Sequence, residues 1–258
     1  MRKRIFLLFF LIALASALWS WGPRKLPIPA DADAAIPDGA SNPDAAINTD
    51  GVANSDAAPK LVAFTFDDGP RRGTTDTLLD GLAERGAKAT FFLVGQEIEN
   101  APDLARRMRD EGHQIGNHTW SHARLDEASD EEITREIGET DALLQSVAGT
   151  GEYWLRPPYG FLRTGTESLI GTPVVLWSVD PRDWESRDTE KIIQAVTESV
   201  KPGDIILLHD IYPTSVAAAL RLTDALSADG YEFVTVAELL RRNGIDAQAG
   251  ASYRGADG

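Results

Sequence analysis

Two carboxylates, Asp67 and Asp68, close an apolar run in the stretch LVAFTFDDGP, Leu61–Pro70. Neighbouring carboxylates at a strand exit point in different directions, so the two can serve two different tasks. A solvated Asp-Asp-Gly turn is the plain alternative. Two of the chain's 4 histidines lie in HTWSH, as His118 and His122. Spaced by four, they can share one side of a helical turn, a common way to hold a metal ion from one segment. Two nitrogens and one carboxylate oxygen leave coordination positions open, as a catalytic metal site requires. In RPPYG, Arg156 to Gly160, two prolines fix the backbone and lack N–H groups. The free amide of Tyr159 suits oxyanion stabilisation, and a rigid turn is the alternative. Trp184, in DPRDW, is either a core lid or a platform for a sugar ring. His209, in LLHD, reads as a general acid or base, or as a satisfied core histidine.

These residues need elements that deliver them to one place. Leu61–Phe66, Ala89–Val94, His113–Gly116, Tyr153–Leu155, Pro173–Val179, Asp204–Leu208 and Glu232–Val234 read as strands. Thr74–Glu84, Pro102–Asp110, Val216–Leu226 and Val236–Arg242 read as helices. Ser129 and Glu132 form a capping box opening a helix through about Val147, and Asp188 caps another carrying Ile192, Ile193, Val196 and Val200. Strand and helix alternate about seven times over roughly 185 residues, which predicts parallel strands with crossover helices. A complete eight-unit barrel takes about 250 residues, so a distorted barrel is expected, with a doubly wound open sheet as runner-up. Each chemically capable residue then sits at the C-terminal end of a strand, where such sheets carry their chemistry.

The rest of the 258 residues set boundaries. The chain has no cysteine, which excludes disulfides and thiolate metal sites. Its formal net charge of -15 argues against nucleic acid and weakly disfavours polyanionic substrates. Arg2, Lys3 and Arg4 precede an apolar run from Ile5 to Trp19. Residues 1–21 are therefore a signal peptide, cut after Ala17 by the small residues Ala15 and Ala17, or an uncleaved membrane anchor ending at Trp19 and Trp21. Membrane contact is expected only through that segment, and only if it is not cleaved. Residues 22–59, rich in Asp, Ala and Pro, form a linker too polar to order itself. Its Asp-Ala pairs lack the spacing of a calcium loop. Residues 60–243 form a single domain, and 244–258 a flexible tail.

As an ordered set, TFDDGP, HTWSH, RPPYG, DPRDW and LLHD, with ATFFLVG and GHQIGNH between them, resemble the polysaccharide deacetylases, the NodB-homology domain of carbohydrate esterase family 4. The resemblance runs from about Leu61 to Leu240 and shows no departure in these motifs. It implies a distorted (β/α) barrel with about seven strands. It also implies a divalent-metal-dependent hydrolase that removes N-acetyl, sometimes O-acetyl, groups from a polysaccharide. Carried over, Asp68, His118 and His122 hold the metal, with zinc the first expectation. Asp67 is the base and Arg156 orients it. Tyr159 lends its N–H to the oxyanion, Asp183 tunes the acid His209, and Trp184 with Leu207 shapes the acetyl pocket. His113 is left without a role and reads as structural.

Either reading of residues 1–21 sends the domain out of the cytoplasm, where a monomer acting on an N-acetylated cell-envelope or extracellular glycan is expected. Two other classes use some of the same residues. A two-His-one-carboxylate oxygenase would share the ligand types but leave Asp67, RPPYG and His209 idle. A silent wall-binding domain would not require an intact Asp68, His118 and His122.

Overall fold

The computed structural model describes residues 59–256. The expected leader and all of the linker except Pro59 lie outside the described residues. Among those described, no helix is long and apolar enough to cross a membrane.

The organising strand is β1, Lys60–Asp67, whose residues from Leu61 onward are all buried. A strand covered on both faces reads as a continuous apolar run rather than an alternating one, as this one does. On one edge it pairs in parallel with β5, Ile205–His209, in a register that sets Asp67 beside His209. Its other edge is shared. Lys60–Val62 pair with β6, Tyr231–Phe233, while Thr65–Asp67 pair with β2, Thr90–Leu93. Beyond β2 lies β3, Gln114–Asn117. Single-residue parallel bridges carry the curve onward, from Asn117 to Leu155, from Leu155 to Val174, and from Val179 back to Ile206. The result is the expected distorted (β/α) barrel, whose ring is completed by bridges rather than by a continuous ladder.

Two expected strands are correspondingly reduced. Tyr153–Leu155 survives only as the bridges at Leu155, because Pro157 and Pro158 follow and cannot donate to a ladder. Pro173–Val179 shrinks to β4, Val174–Val175, after which the chain turns to bridge β5 at Val179. The tail from Asn243 is a correction, because its described part is ordered. Ser252–Tyr253 form β7, parallel to β4, and the Ala256 N–H donates to the Gly203 carbonyl. Its small residues suit that path: a Cβ on Gly255 would lie 3.0 Å from the Gly203 oxygen.

The helices follow their sequence signals. In α1, Thr75–Glu84, Leu78, Leu79 and Leu82 are buried as the periodicity requires. Helix α2, Gly95–Asn100, was not expected; it starts directly at the end of β2, without a capping side chain to announce it. Helix α3 is Pro102–Asp110, and α4, Asp130–Ala148, opens on the full Ser129/Glu132 capping box. The short α5 is Asp183–Ser186, and α6, Thr189–Ser199, is capped by Asp188. Helix α7, Pro213–Ala228, begins three residues earlier than expected, with proline in its first turn where a missing N–H costs nothing. Helix α8 is Val236–Arg242. Phe64, Phe66 and Phe91 fill the core between sheet and helices, with the rings of Phe66 and Phe91 stacked at 5.3 Å. Burying each such side chain contributes up to about 3 kcal/mol.

Candidate active site

Strand exits converge at one end of the sheet. The Val94 N–H bonds the Gly69 carbonyl, the His118 N–H bonds the Leu93 carbonyl, and the Arg156 N–H bonds the Asn117 carbonyl. These links fix the exits of β1, β2 and β3, and the chain after Leu155, against one another. The segment from His118 to His122 is not the helical turn that its spacing suggests. Thr119 and His122 take positive φ values of 66° and 59°, which interrupt any helix. The turn is held instead from α4. Buried Glu136 accepts the Ser121 N–H at 2.8 Å, and Asn117 accepts the Thr119 N–H while donating to Asp141. Asp68 (φ 72°) and Tyr159 (φ 62°) are also left-handed. Several non-glycine residues in this region at one site mark backbone held against its preference by its surroundings.

The turn nevertheless gathers the expected ligands. Donor atoms of Asp68, His118 and His122 all lie within 4.8 Å of one another. Asp68 Oδ1 is 3.5 Å from His118 Nε2 and 3.2 Å from His122 Nε2. It is buried and has no well-formed hydrogen bond. An orphaned buried carboxylate oxygen facing two imidazole nitrogens suits a cation. His118 Nδ1 lies 2.7 Å from the Arg156 carbonyl, an arrangement that leaves Nε2 as the free lone pair. Burial alone would raise the Asp68 pKa. Its contacts with His118 and His122 instead hold it well below the usual carboxylate range, so it is ionised and ready to ligate. These residues fit a divalent cation.

Asp67 is buried beside them. Its Oδ1 accepts from Arg156 Nη1 at 2.8 Å, and its Oδ2 faces His118 Nε2 at 3.7 Å. Arg156 is fully buried. It also donates to the Thr65 hydroxyl and to the carbonyls of Val175 and Leu176, and it lies 4.1 Å over the Phe92 ring. A planar fork spent in this way fixes the carboxylate it holds.

His209 faces Asp67 across the β1–β5 register. Asp183 holds it twice, with Oδ1 at 2.8 Å from Nδ1 and Oδ2 accepting the His209 N–H at 2.8 Å. Burial alone would pull the His209 pKa down. The hydrogen bond and charge of Asp183, supported by Asp67 and Asp68, push it up to about 9. The amides beside Tyr159 are engaged, Gly160 with Pro157 and Phe161 with Pro158. Among the described residues the Tyr159 N–H has no acceptor. The Tyr159 ring lies edge-on to His122 at 4.8 Å.

A cavity of ≈ 450 Å³ contains Asp67, Asp68, His118, His122 and His209, and is walled by Tyr159, Trp184, Leu207, Trp177 and Tyr212. All ten residues singled out from the sequence therefore line this cavity or directly hold a residue that does. Trp177 and Tyr212 were missed, and so was Asp210. Trp177 packs against Gly160, where a Cβ would meet its ring at 2.8 Å. Asp210 is fully buried beneath the β1 exit. It accepts the Thr75 hydroxyl, and burial chiefly raises its pKa to about 7. His113 lies outside the site, where its Nδ1 accepts the Ala89 N–H at 3.2 Å. Burial lowers its pKa to about 4, so it is neutral.

Comparison with known proteins identifies the family. The family described as polysaccharide deacetylase matches residues 54–170. Peptidoglycan-N-acetylmuramic acid deacetylase PdaC of Bacillus subtilis is 39% identical over 180 residues, covering 70% of this chain and 38% of that protein. The chain therefore spans less than half the length of PdaC. A peptidoglycan-N-acetylglucosamine deacetylase of Bacillus cereus is 38% identical over 196 residues, covering 70% of this chain and 89% of that protein. The solved structure of a family 4 acetyl xylan esterase from Clostridium thermocellum, in complex with a cobalt ion, superposes with a TM-score of 0.71 at 36% identity. That match covers 76% of this chain and 98% of the other. The chain belongs to the polysaccharide deacetylase family, the NodB-homology domain of carbohydrate esterase family 4.

Proposed function

We propose that this domain hydrolyses N-acetyl groups on a cell-envelope polysaccharide, using a divalent cation held by Asp68, His118 and His122, with zinc the first choice. One observation carries the reading. A base and an acid of opposite required charge, Asp67 and His209, stand side by side in one cavity with an orphaned ligand oxygen. When bound, the cation supplies Lewis-acid polarisation of the acetyl carbonyl and makes a nearby water more acidic. Asp67, with Oδ1 pinned by Arg156, accepts the proton of the attacking water on Oδ2. The carbonyl oxygen gains negative charge as the new C–O bond forms, and the Tyr159 N–H donates to it. His209 Nε2 gives its proton to the nitrogen as the C–N bond breaks, leaving acetate and a free amine. Asp183 keeps His209 protonated for that step and fixes its ring through Nδ1. Trp184 and Leu207 bound the space for the acetyl methyl.

An amine is a poor leaving group unless protonated, whereas an alcohol needs less help. A strongly basic His209 therefore favours amides over esters. Action outside the cytoplasm on a wall glycan is supported by the basic and apolar start of the sequence and by relatives named for peptidoglycan. The test is to incubate the purified protein with acetylated chitooligosaccharides, glycan strands and xylan while following acetate and new amines. Chelation should stop release, and zinc or another divalent ion should restore it. Absence of acetate from every substrate by a verified metal-loaded sample would refute the proposal.

A further inference from the structure

A second cavity, also ≈ 450 Å³, meets the first at Asp68 and His122. The two differ in chemistry. The first has aromatic walls, while the second is lined by Arg71, Gln96, Glu97 and Ser121 and has no aromatic wall except the His122 ring. Arg71 is fixed to the site by its backbone. Its N–H donates to the Thr75 hydroxyl at 2.8 Å, and its carbonyl accepts the Thr75 N–H at 2.9 Å. Its side chain reaches the Ile211 carbonyl at 3.3 Å, two residues beyond His209. Among the described residues it has no carboxylate partner, although its neighbour Arg72 is paired with Asp103. In a chain with 40 acidic and 25 basic residues, an arginine left unpaired in a concave wall is a cation available to a ligand. Its remaining N–H groups can grip a carboxylate in bidentate fashion.

We propose that this cavity binds the sugar next to the one being deacetylated, and that Arg71 selects a neighbour that carries a carboxylate. The proposal rests on the deacetylase reading. Glu97, half-buried in the same wall and bonded weakly to Asn100 at 3.4 Å, repels a second negative charge. The net charge of -15 repels a densely charged polymer at longer range. Together these features favour a glycan carrying spaced single carboxylates, rather than a polyanion or a neutral chain. The charge that decides is local, so the weak preference against anions inferred from composition does not extend to this wall.

The test uses N-acetylated glycan strands with lactyl-ether carboxylates, the same strands methyl-esterified, and strands bearing stem peptides. The full metal-loaded chain should show a kcat/KM ratio of free acid to ester of about fivefold to tenfold, shrinking as salt rises. Arg71→Gln should bring that ratio close to unity, and Glu97→Gln should raise it. Equilibrium binding of the acid and ester strands to Asp67→Asn gives the ratio without turnover. Charge-selective binding by Asp67→Asn, with no acetate released from the same strands by the metal-loaded wild type, would overturn the deacetylase reading and keep this one. A wild-type ratio of one, or the same ratio in Arg71→Gln, would overturn the proposal. So would charge selectivity confined to peptide-bearing strands. If Arg71→Gln fails to fold, the direction of the Glu97→Gln shift decides, and a fall or no change overturns it.

Discussion

Gly69 can be used to test how the β1 exit is supported. A Cβ at that position would lie 2.5 Å and 2.6 Å from the two Asp210 carboxylate oxygens and 2.9 Å from the carbon that carries them. Asp210 cannot easily retreat, because it is fully buried and one oxygen takes the Thr75 hydroxyl. The Thr75 hydroxyl in turn accepts the Arg71 N–H, so the strain would spread along the loop that carries Asp68. Overpacking of this kind costs about 1–3 kcal/mol, and ~2 kcal/mol lowers Tm by about 4–8 °C in a domain of this size. Gly69→Ala should therefore lose both stability and metal affinity, measured by calorimetric unfolding and by metal titration. Asp210→Ala removes every atom in the clash. In a double-mutant cycle, Gly69→Ala should cost less in the Asp210→Ala background, with a coupling of about 1–2 kcal/mol. An additive cycle, or a Gly69→Ala protein with unchanged Tm and metal affinity, would refute the claim that Asp210 supports the ligand loop.

His209 works as an acid only below its raised pKa of about 9, so activity should fall as pH rises through that value, and a bound cation moves the limb lower. Asp183→Asn removes the charge that favours protonation and should shift the alkaline limb of kcat/KM to lower pH; an unmoved limb counts against the assignment. His118→Ala should fail to retain metal on elemental analysis. Asp67→Asn should retain it and lose roughly 10²-fold or more in kcat. Truncation after Asn243 removes β7 from the side of β4 and should lower Tm by roughly 4–8 °C, as ~2 kcal/mol of lost contacts implies.

What could be read from the sequence followed the range of each interaction. Asp67, Asp68 and His209 were legible because a strand exit is a local pattern, an apolar run followed by a polar break. The α4 start was legible because both halves of its cap lie within three residues. Asp210 was not, since its partner Thr75 is 135 positions away and nothing near Asp210 points to it. The segment from His118 to His122 misled because a spacing of four fits both a helical turn and a loop. The choice was made by distant Glu136 and by two left-handed residues. The tail looked frayed because its residues are small and polar, yet β4 offers it an open edge that only the folded chain reveals.

Arg156 carries a consequence for how such a domain can change over time. The same guanidinium that aims Asp67 also ties the end of β1 to the backbone around Val175 and Leu176, where the ring is thinnest. Orientation of the base and closure of the barrel are thus one physical object. A substitution that retunes the base by loosening Arg156 also opens the scaffold, so a variant cannot trade a little stability for a different reactivity there. The rim is under no such bond. Arg71, Glu97 and Trp184 stand on loops or helix starts, and their side chains hold none of the sheet together. Adaptation to a new glycan therefore has an open route through the rim and a closed one through the floor. Descendants of this chain should diverge in what they grip long before they diverge in how they cut.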